Sequence, residues 1–241
     1  LKIKKLNGIF HLAAQVEVGV AISNPYLTFE TNIRGTYSLL EAIRIHPVRS
    51  VVIASTDKSY GSYGLDQMPY KETYPLIPKY PYDVSKACAD IIAQSYTSEL
   101  FNLPLIVTRF CNIYGPGQTG EGAMQIFIKQ ALKNDDIIIR GDGNQIRAWC
   151  YIDDFVNGLM KCIENTQAIG ESFNIGNSKA VTTIYGLAQA VCRVLDSKSR
   201  ILFKSLESVD VELRIPSVEK ACVLLKFPPR IKDVWSSNFN P

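Results

Sequence analysis

The chain has 241 residues, with 26 Lys and Arg against 23 Asp and Glu and a net charge of +3 at pH 7. Hydrophobic residues make up 46% of it and charged residues 20%, a composition that excludes disordered and fibrous classes. Charges of both signs are scattered without a basic block, so we expect no nucleic-acid partner. No run approaches the roughly 18 apolar residues that a membrane span needs, and the amino terminus lacks the features of a signal peptide. We therefore expect no membrane association and a cytoplasmic location.

The first half of the chain alternates short apolar runs with helical patterns. The runs 7–14 (NGIFHLAA), 50–56 (SVVIAST) and 103–110 (LPLIVTRF) are predicted strands, and 25–44 and 82–100 are predicted helices. These runs lack polar alternation, which is typical of strands that are covered on both faces. The order of the elements predicts an α/β fold, a parallel sheet with right-handed crossovers.

The pattern changes beyond residue 115. A loop at 114–122 precedes a short predicted helix at 125–133, a strand that runs into a turn at 135–143, and a helix at 150–165. A short strand at 172–177 and an amphipathic helix at 182–195 follow, and the last forty residues are less regular. We predict a smaller lobe here, interleaved with the sheet domain.

Six cysteines are spread singly, without a C-x-x-C pair, and most lie in apolar surroundings. We expect buried free thiols rather than disulfides or a zinc site.

Asp153 and Asp154 stand at the start of a predicted helix, and we expect them to cap it rather than to bind a metal. His11 is expected to be a hydrogen-bonded strand histidine.

A Tyr-x-x-x-Lys pair, Tyr82 and Lys86, stands at the start of a predicted helix. Residues four apart share a helical face, so the Lys86 ammonium would favour the Tyr82 phenolate, a usable base for a sugar hydroxyl. Taken alone, the spacing is explained better by an ordinary helix-surface pair. Upstream, Ser55, Thr56, Asp57 and Lys58 follow a predicted strand at the sheet edge where ligands of open α/β proteins bind. A solvated turn remains the alternative for this tetrapeptide.

Six blocks in order resemble the extended short-chain dehydrogenase/reductase family of nucleotide-sugar epimerases and dehydratases. They are FHLAAQ (10–15), NIRGTYSLLEA (32–42), IASTDKSYG (53–61), PYDVSKACAD (81–90), RFCNIYGPGQ (109–118) and RGDGNQIRAWCYIDD (140–154). The resemblance implies a Rossmann-like doubly wound parallel sheet. Residues 1–114 would form a partial NAD-binding Rossmann domain, to which 149–177 returns. Residues 115–148 and 178–241 would form the smaller carboxy-terminal substrate-binding lobe.

The resemblance also implies roles for single residues. Tyr82 would take the proton of the sugar C4 hydroxyl while hydride passes to NAD. Lys86 would bind the nicotinamide ribose and lower the pKa of Tyr82, and Thr56 would hydrogen-bond the same hydroxyl. The remaining implied residues are Leu12, Ala13, Ala14 and Asn32 near the cofactor, and Asn112, Arg147 and Arg214 at a nucleotide-diphosphate sugar.

The reaction subclass depends on Asp57 and Lys58. A 4-epimerase needs only oxidation and re-reduction at C4, and the family's epimerases usually carry small or apolar residues here. A 4,6-dehydratase also needs an acid for the departing C6 hydroxyl and a base for the C5 proton, the roles we predict for Asp57 and Lys58 respectively. Lys58 stands where dTDP-glucose 4,6-dehydratases have Glu and CDP-glucose dehydratases have Lys. The sequence therefore resembles the 4,6-dehydratases, which return the hydride to C6 and yield a 4-keto-6-deoxy sugar.

Two features depart from the family pattern. The sequence contains no G-x-x-G-x-x-G turn for the cofactor pyrophosphate, and Ala148 replaces the Asp that commonly follows Arg147. We expect a fragment or an amino-terminally truncated form of an active enzyme. A 4-epimerase is the alternative within enzymes, and a nucleotide-sugar-binding or scaffold protein is the alternative of another class.

Members of this family often dimerise, and we expect a homodimer that forms through the predicted helices 25–44 and 82–100.

An aromatic loop connects the two catalytic segments. Tyr70, Tyr74 and Tyr80 offer rings that would stack on a base or a sugar, but packing of the loop over the sheet explains them at least as well.

Overall fold

The computed structural model describes residues 6–120, 122–205 and 213–230. The helices in these ranges are α1 (Val18–Ser23), α2 (Pro25–Phe29), α3 (Gly35–Ile45), α4 (Pro81–Tyr96), α5 (Ala123–Lys133), α6 (Ile152–Glu164), α7 (Ile184–Val194) and α8 (Glu219–Leu224). The strands are β1 (Gly8–His11), β2 (Ser50–Thr56), β3 (Leu105–Phe110), β4 (Ile113–Tyr114), β5 (Ile137–Arg140), β6 (Ile146–Ala148), β7 (Cys150–Tyr151), β8 (Ser172–Ile175), β9 (Val181–Thr183), β10 (Ile201–Lys204) and β11 (Leu213–Arg214).

A four-stranded parallel sheet forms the centre of the fold, in the order β1-β2-β3-β8. The consecutive strands β1, β2 and β3 lie side by side, as connections through crossover helices favour, and β8 pairs with β3 after the intervening β4–β7. Parallel pairing brings all four carboxyl ends to one edge, so the segments after β1, β2 and β3 meet there. The predicted Rossmann-like α/β fold is confirmed.

Alternate residues of β2 and β3 pack against opposite layers of helices. Val51, Ile53, Leu105 and Val107 share one buried cluster with Leu40 and Ile43 of α3 and Ala93 of α4. Val52 and Ile106 face the other way, into a cluster with α6 and α8. Removing such a side chain from water contributes about 1.5–3 kcal/mol, so both layers hold the sheet firmly. This burial on both faces explains why apolar and polar residues do not alternate in the sequences of β2 and β3.

A second core lies beside the sheet. It joins α5, β5 and α7 through side chains that include Phe127, Ile137, Ile139, Leu187 and Val191. These elements fall within the predicted lobe, whose bounds stay a prediction. One element departs from the predicted division: α8 lies in the range 178–241, yet Ala221 and the following Leu225 and Phe227 pack in the cluster on the main sheet.

Several predicted helices differ in their bounds. The predicted helix 25–44 consists of α2, a π-helical turn at Glu30–Arg34 and α3, and α1 before it is not predicted. The helix predicted at 150–165 begins at Ile152, because Cys150–Tyr151 forms strand β7, which pairs with β4 (Ile113–Tyr114). The predicted helix 182–195 begins at Ile184, because β9 pairs with β6 and the Thr183 hydroxyl accepts the Gly186 N–H at 2.9 Å.

The six cysteines are free thiols, but the expected burial holds only for Cys111, Cys150 and Cys162, and the other three are half-buried. No helix in the described ranges is both long enough and apolar enough to cross a bilayer.

Candidate active site

The site begins where β2 ends. Thr56 is the last residue of β2, and Asp57 and Lys58 start a short 3-10 helix, Asp57–Tyr60. The Thr56 hydroxyl accepts the Lys58 N–H at 3.4 Å, which holds this turn, and it donates to Asp57 Oδ1 at 3.3 Å. Thr56 and Asp57 are each 6% exposed, so a buried hydroxyl and a buried carboxylate lie at the sheet edge. The solvated turn that was the alternative is thereby excluded for these two residues.

Tyr82 reaches the same place from the first turn of α4. Pro81 opens this helix, a position where proline fits because its missing N–H has no helical partner. The Tyr82 phenol lies within hydrogen-bonding reach of the Thr56 hydroxyl, which lowers the pKa of the phenol when it donates to the phenol instead of Asp57. The Lys58 ammonium lies 5.6 Å from the centre of the Tyr82 ring. Four of the predicted catalytic residues are therefore brought together, namely Thr56, Asp57, Lys58 and Tyr82.

A buried ion pair fixes α4 on the sheet. Arg109 of β3 donates from Nε to Asp90 Oδ2 at 2.8 Å and from Nη2 to Asp90 Oδ1 at 3.1 Å. Arg109 Nη1 also donates to the Tyr60 hydroxyl at 2.9 Å, which in turn donates to Asn174 Oδ1. Neither Arg109 nor Asp90 was singled out as a site residue from the sequence, although both lie in matched blocks. The pair orients the helix that carries Tyr82.

Lys86 lies one turn after Tyr82 and is also buried, but its ammonium donates to the carbonyl of Ala54 on β2. Burial lowers the pKa of Lys86 to about 8, and the charge of Asp90 opposes this change. Burial also raises the pKa of Tyr82, as do Asp57 and Asp83, while the hydrogen bond from Thr56 lowers it. Burial is the largest of these effects on the Tyr82 pKa. The lowering of this pKa by Lys86 stays a prediction.

The segment after β1 closes the other side of the crevice. Leu12 and Ala13 are exposed and Ala14 is half-buried, so the strand end is open and lined by small residues. Asn32 holds this segment, since its Oδ1 accepts the Gln15 N–H at 2.7 Å and its Nδ2 donates to the Gln15 carbonyl at 2.9 Å. Asn32 Nδ2 also donates to Ser85 Oγ on α4 at 2.9 Å. Asn32 therefore ties the strand end to the helix of Tyr82.

His11 faces the same crevice. It hydrogen-bonds the Thr36 hydroxyl at 3.2 Å, and burial together with the charge of Lys86 lowers its pKa. The predicted hydrogen-bonded strand histidine is confirmed.

The three predicted substrate residues meet around β6. Arg214 of β11 and Arg147 of β6 are register partners, and each side chain is 6% exposed. Asn112, whose φ is 26°, donates from Nδ2 to the Ala148 carbonyl at 3.0 Å, next to Arg147. Arg214 Nη1 is buried and has no hydrogen-bond partner in the part of the chain that the structure describes. Two neighbouring buried guanidinium groups form an environment that favours an anion.

Tyr70 is expected from the sequence only to stack on a ligand or to pack with its loop, and its contact with Asp57 is not predicted. It is 2% exposed, and its hydroxyl donates to Asp57 Oδ2 at 3.1 Å. Its ring lies 4.6 Å from that of Tyr60, so the part of the loop around it packs over the sheet. No sequence motif contains both Tyr70 and Asp57, and only the course of the loop brings the two residues into contact.

Asp153 and Asp154 lie in the first turn of α6, and the Asp154 carboxylate accepts the Arg230 N–H at 3.1 Å. Within the described ranges, no group of three or more His, Cys, Asp or Glu side chains is arranged to hold a metal ion.

A parallel sheet with helices on both faces, and with a Tyr and a Lys on the helix beside its carboxyl edge, defines a Rossmann-type enzyme class. The family model of the NAD dependent epimerase/dehydratase family matches residues 1–176, and the chain belongs to this family. The recognition of the family from its sequence blocks is therefore confirmed.

Relatives with both reactions match the chain. A UDP-glucuronate 4-epimerase from Thermodesulfobacterium geofontis is 29% identical over 94% of this chain and 68% of its own length. A dTDP-glucose 4,6-dehydratase from Neisseria gonorrhoeae is 33% identical over 79% of this chain and 57% of its own length. The chain thus spans between about half and two thirds of the length of these relatives.

The fold of the chain also matches solved structures. The structure of UDP-glucuronic acid 4-epimerase from Bacillus cereus, in complex with UDP-glucuronic acid and NAD, superposes with a TM-score of 0.87 at 27% identity. The match covers 93% of this chain and 71% of that one.

Proposed function

We propose that the protein is an NAD-dependent nucleotide-sugar 4,6-dehydratase. The observation that carries this proposal is the buried contact set of Thr56, Asp57 and Tyr82 with Lys58 beside the Tyr82 ring. An enzyme that only oxidises and reduces C4 needs the Tyr and the Thr. The buried acid and the neighbouring amine are explained by a second step, the removal of water.

The cofactor fits the residues around the crevice. Ala13 and Ala14 leave room at the end of β1, Asn32 holds that segment, and Lys86 presents a buried ammonium nearby. NAD, which the cited B. cereus relative binds, would accept the hydride of C4 and later return it to C6. Leu12, Ala13 and Ala14 would line the adenosine half, and Lys86 would bind the nicotinamide ribose.

The substrate would be a nucleotide-diphosphate sugar. Arg214 and Arg147 would bind the diphosphate, which would supply a partner for Arg214 Nη1, and Asn112 would support the same subsite. Since the guanidinium groups are buried, their attraction to a phosphate is little screened by solvent.

Protons would move between three side chains and the sugar. Tyr82, hydrogen-bonded to Thr56, would take the proton of the C4 hydroxyl. The C4 ketone acidifies the C5 proton, which Lys58 would remove. Asp57 would protonate the departing C6 hydroxyl, and water would leave. Burial raises the pKa of Tyr82, so a positive charge beside the phenol in the complex is required for this base to act near neutral pH.

A panel of CDP-, dTDP-, UDP- and GDP-hexoses tests the proposal. The full-length enzyme is expected to convert at least one of them to a 4-keto-6-deoxy product, observed by NMR. Formation of 4-epimers without any such product would overturn the dehydratase and support the second candidate, a 4-epimerase. The 29% identity to a UDP-glucuronate 4-epimerase favours this second candidate.

Calorimetry tests the alternative of another class. A nucleotide-sugar-binding or scaffold protein is expected to bind the nucleotide sugar without NAD. Measurable NAD affinity would contradict this alternative.

We further propose that the protein is a homodimer, which sedimentation tests directly.

A further inference from the structure

Asp57 has a second buried neighbour besides Thr56. The Tyr70 hydroxyl donates to Asp57 Oδ2 at 3.1 Å, while Thr56 donates to Oδ1 at 3.3 Å on the other side of the carboxylate. Tyr70 is 2% exposed and Asp57 6% exposed, so water does not compete freely for this contact. Burial raises the pKa of Tyr70 well above its usual range, as does the charge of Asp57. The phenol therefore stays protonated and remains a donor.

The main chain of Tyr70 fixes where its hydroxyl lies. Its N–H donates to the Ile215 carbonyl at 3.1 Å, and its carbonyl accepts the Ser217 N–H at 2.8 Å. The Asn174 side chain of β8 donates to the same carbonyl at 3.2 Å. The loop is thus joined to the sheet and to the segment that follows Arg214. Tyr70 has little freedom to leave Asp57.

We propose that Tyr70 is a positioning residue that orients the Asp57 carboxyl for protonation of the departing C6 hydroxyl. This inference rests on the proposed dehydratase function. In the ionised form both carboxylate oxygens accept, Oδ2 from Tyr70 and Oδ1 from Thr56, so the acid carries its proton on Oδ1 once the Thr56 hydroxyl turns from donor to acceptor. The acid then faces the same side of the site as the C4 hydroxyl and its base, Tyr82.

The same contact relates the acid to the predicted phosphate subsite. The charge of Arg214 acts on the Tyr70 phenol, since it lowers the pKa that burial and Asp57 raise. The main-chain bonds of Tyr70 to Ile215 and Ser217 place it beside the segment that follows Arg214 as well as beside Asp57. A nucleotide diphosphate bound at Arg214 would therefore lie next to the segment that holds Tyr70 and, through it, the acid.

Tyr70→Phe removes only the hydroxyl and tests the inference. General acids and bases typically contribute about 10²- to 10⁴-fold, so the loss of orientation is expected to slow water elimination by about tenfold or more. Oxidation at C4, followed by the ultraviolet absorbance of reduced cofactor in a single turnover, is expected to stay within about threefold, since Tyr70 does not touch Tyr82 or Thr56. Nucleotide affinity by calorimetry is expected to change little.

Tyr60→Phe is the matched control. It removes the hydroxyl of the neighbouring buried ring, which bonds Asn174 and Arg109 rather than Asp57. This variant is expected to lower the melting temperature without changing the ratio of elimination to oxidation.

The outcomes distinguish this inference from the proposed function. If Tyr70→Phe slows oxidation and elimination in parallel, or changes neither, Tyr70 has only a structural role and the inference is wrong. If the wild-type enzyme oxidises C4 and never forms a 4-keto-6-deoxy sugar, the proposed function itself fails, and the inference with it.

Discussion

Arg214 and Arg147 are register partners on the adjacent parallel strands β11 and β6, and both side chains are buried. A buried cation raises the free energy of the folded chain unless an anion compensates it. The Nη1 group of Arg214 lacks a hydrogen-bond partner among the described residues. Arg214 therefore lowers the stability of the free protein and favours an anionic ligand beside it.

Arg214→Met is expected to change binding and stability in opposite directions. A hydrogen bond to a charged group contributes about 1.5–3 kcal/mol, so affinity for dTDP or UDP is expected to fall about tenfold or more in calorimetry. The melting temperature of the free protein is expected to stay the same or rise, because a buried charge is removed.

Arg200→Met is the control for this substitution. Arg200 is exposed and pairs with Asp136 at 2.7 Å, and such surface pairs contribute about 0–1 kcal/mol. Nucleotide affinity is expected to be unchanged in this variant. Unchanged affinity in Arg214→Met would show that the guanidinium does not contact the phosphates.

Thr56→Val is expected to move the pH dependence of C4 oxidation upward. The rate rises with pH as the Tyr82 phenol ionises, and the hydrogen bond from Thr56 lowers the pKa of that phenol. Removing a hydrogen bond of about 1 kcal/mol raises the pKa and shifts the rising limb by about one pH unit. Thr56→Ser keeps the hydroxyl and is expected to keep the profile. A limb that stays in place or moves to lower pH in Thr56→Val speaks against Tyr82 as the base.

Lys86→Met is expected to stabilise the cofactor-free protein at pH 7.5. Burial lowers the pKa of Lys86 from 10.5 to about 8, so the unfolded chain binds the proton more tightly than the folded one. The stability of the wild-type protein therefore rises between pH 8 and 10.5, whereas the variant lacks this rise. The advantage of the variant is expected to shrink across this window by about 3 kcal/mol, the equivalent of the pKa difference. Urea titrations measure it, and a constant advantage at all pH values would show that Lys86 is not held with a lowered pKa.

Asn32→Ala is expected to loosen the crevice between β1 and α4. The substitution leaves the half-buried main-chain groups of Gln15 and the buried Ser85 hydroxyl without this partner, and an unsatisfied buried group costs about 1–3 kcal/mol. Asn24→Ala removes an exposed helix cap from α2 and is expected to cost only about 1 kcal/mol. Equal losses in the two variants, measured with denaturant, would mean that Asn32 has no special structural role.

The sequence predicted the parts of the fold that repeat a pattern over many residues. The run SVVIAST gave β2 with its observed ends, because a buried parallel strand is continuously apolar. Strands of two or three residues, such as β7 and β9, carry no periodicity, and their residues were assigned to the following helices. The packing of α8 on the main sheet depends on a return of the chain that no local pattern encodes.

The features of the candidate site fall into the same two groups, those that a sequence pattern predicts and those that depend on tertiary packing. Thr56, Asp57 and Tyr82 were predicted together because each follows or begins a regular element at one sheet edge. The contact from Tyr70 to Asp57 crosses an irregular loop, and the raised pKa of Tyr82 depends on burial from several elements. Such features follow from tertiary packing, which the sequence pattern alone did not specify.

The fate of the C4 hydrogen tests the central claim most directly. A nucleotide hexose that carries deuterium at C4 is incubated with the full-length enzyme, and the product is examined by NMR. A 4,6-dehydratase that uses Tyr82, Asp57 and Lys58 as proposed transfers the deuterium to C6 of a 4-keto-6-deoxy sugar. Deuterium that remains at C4 of a 4-epimer, with no 6-deoxy product, would contradict the account.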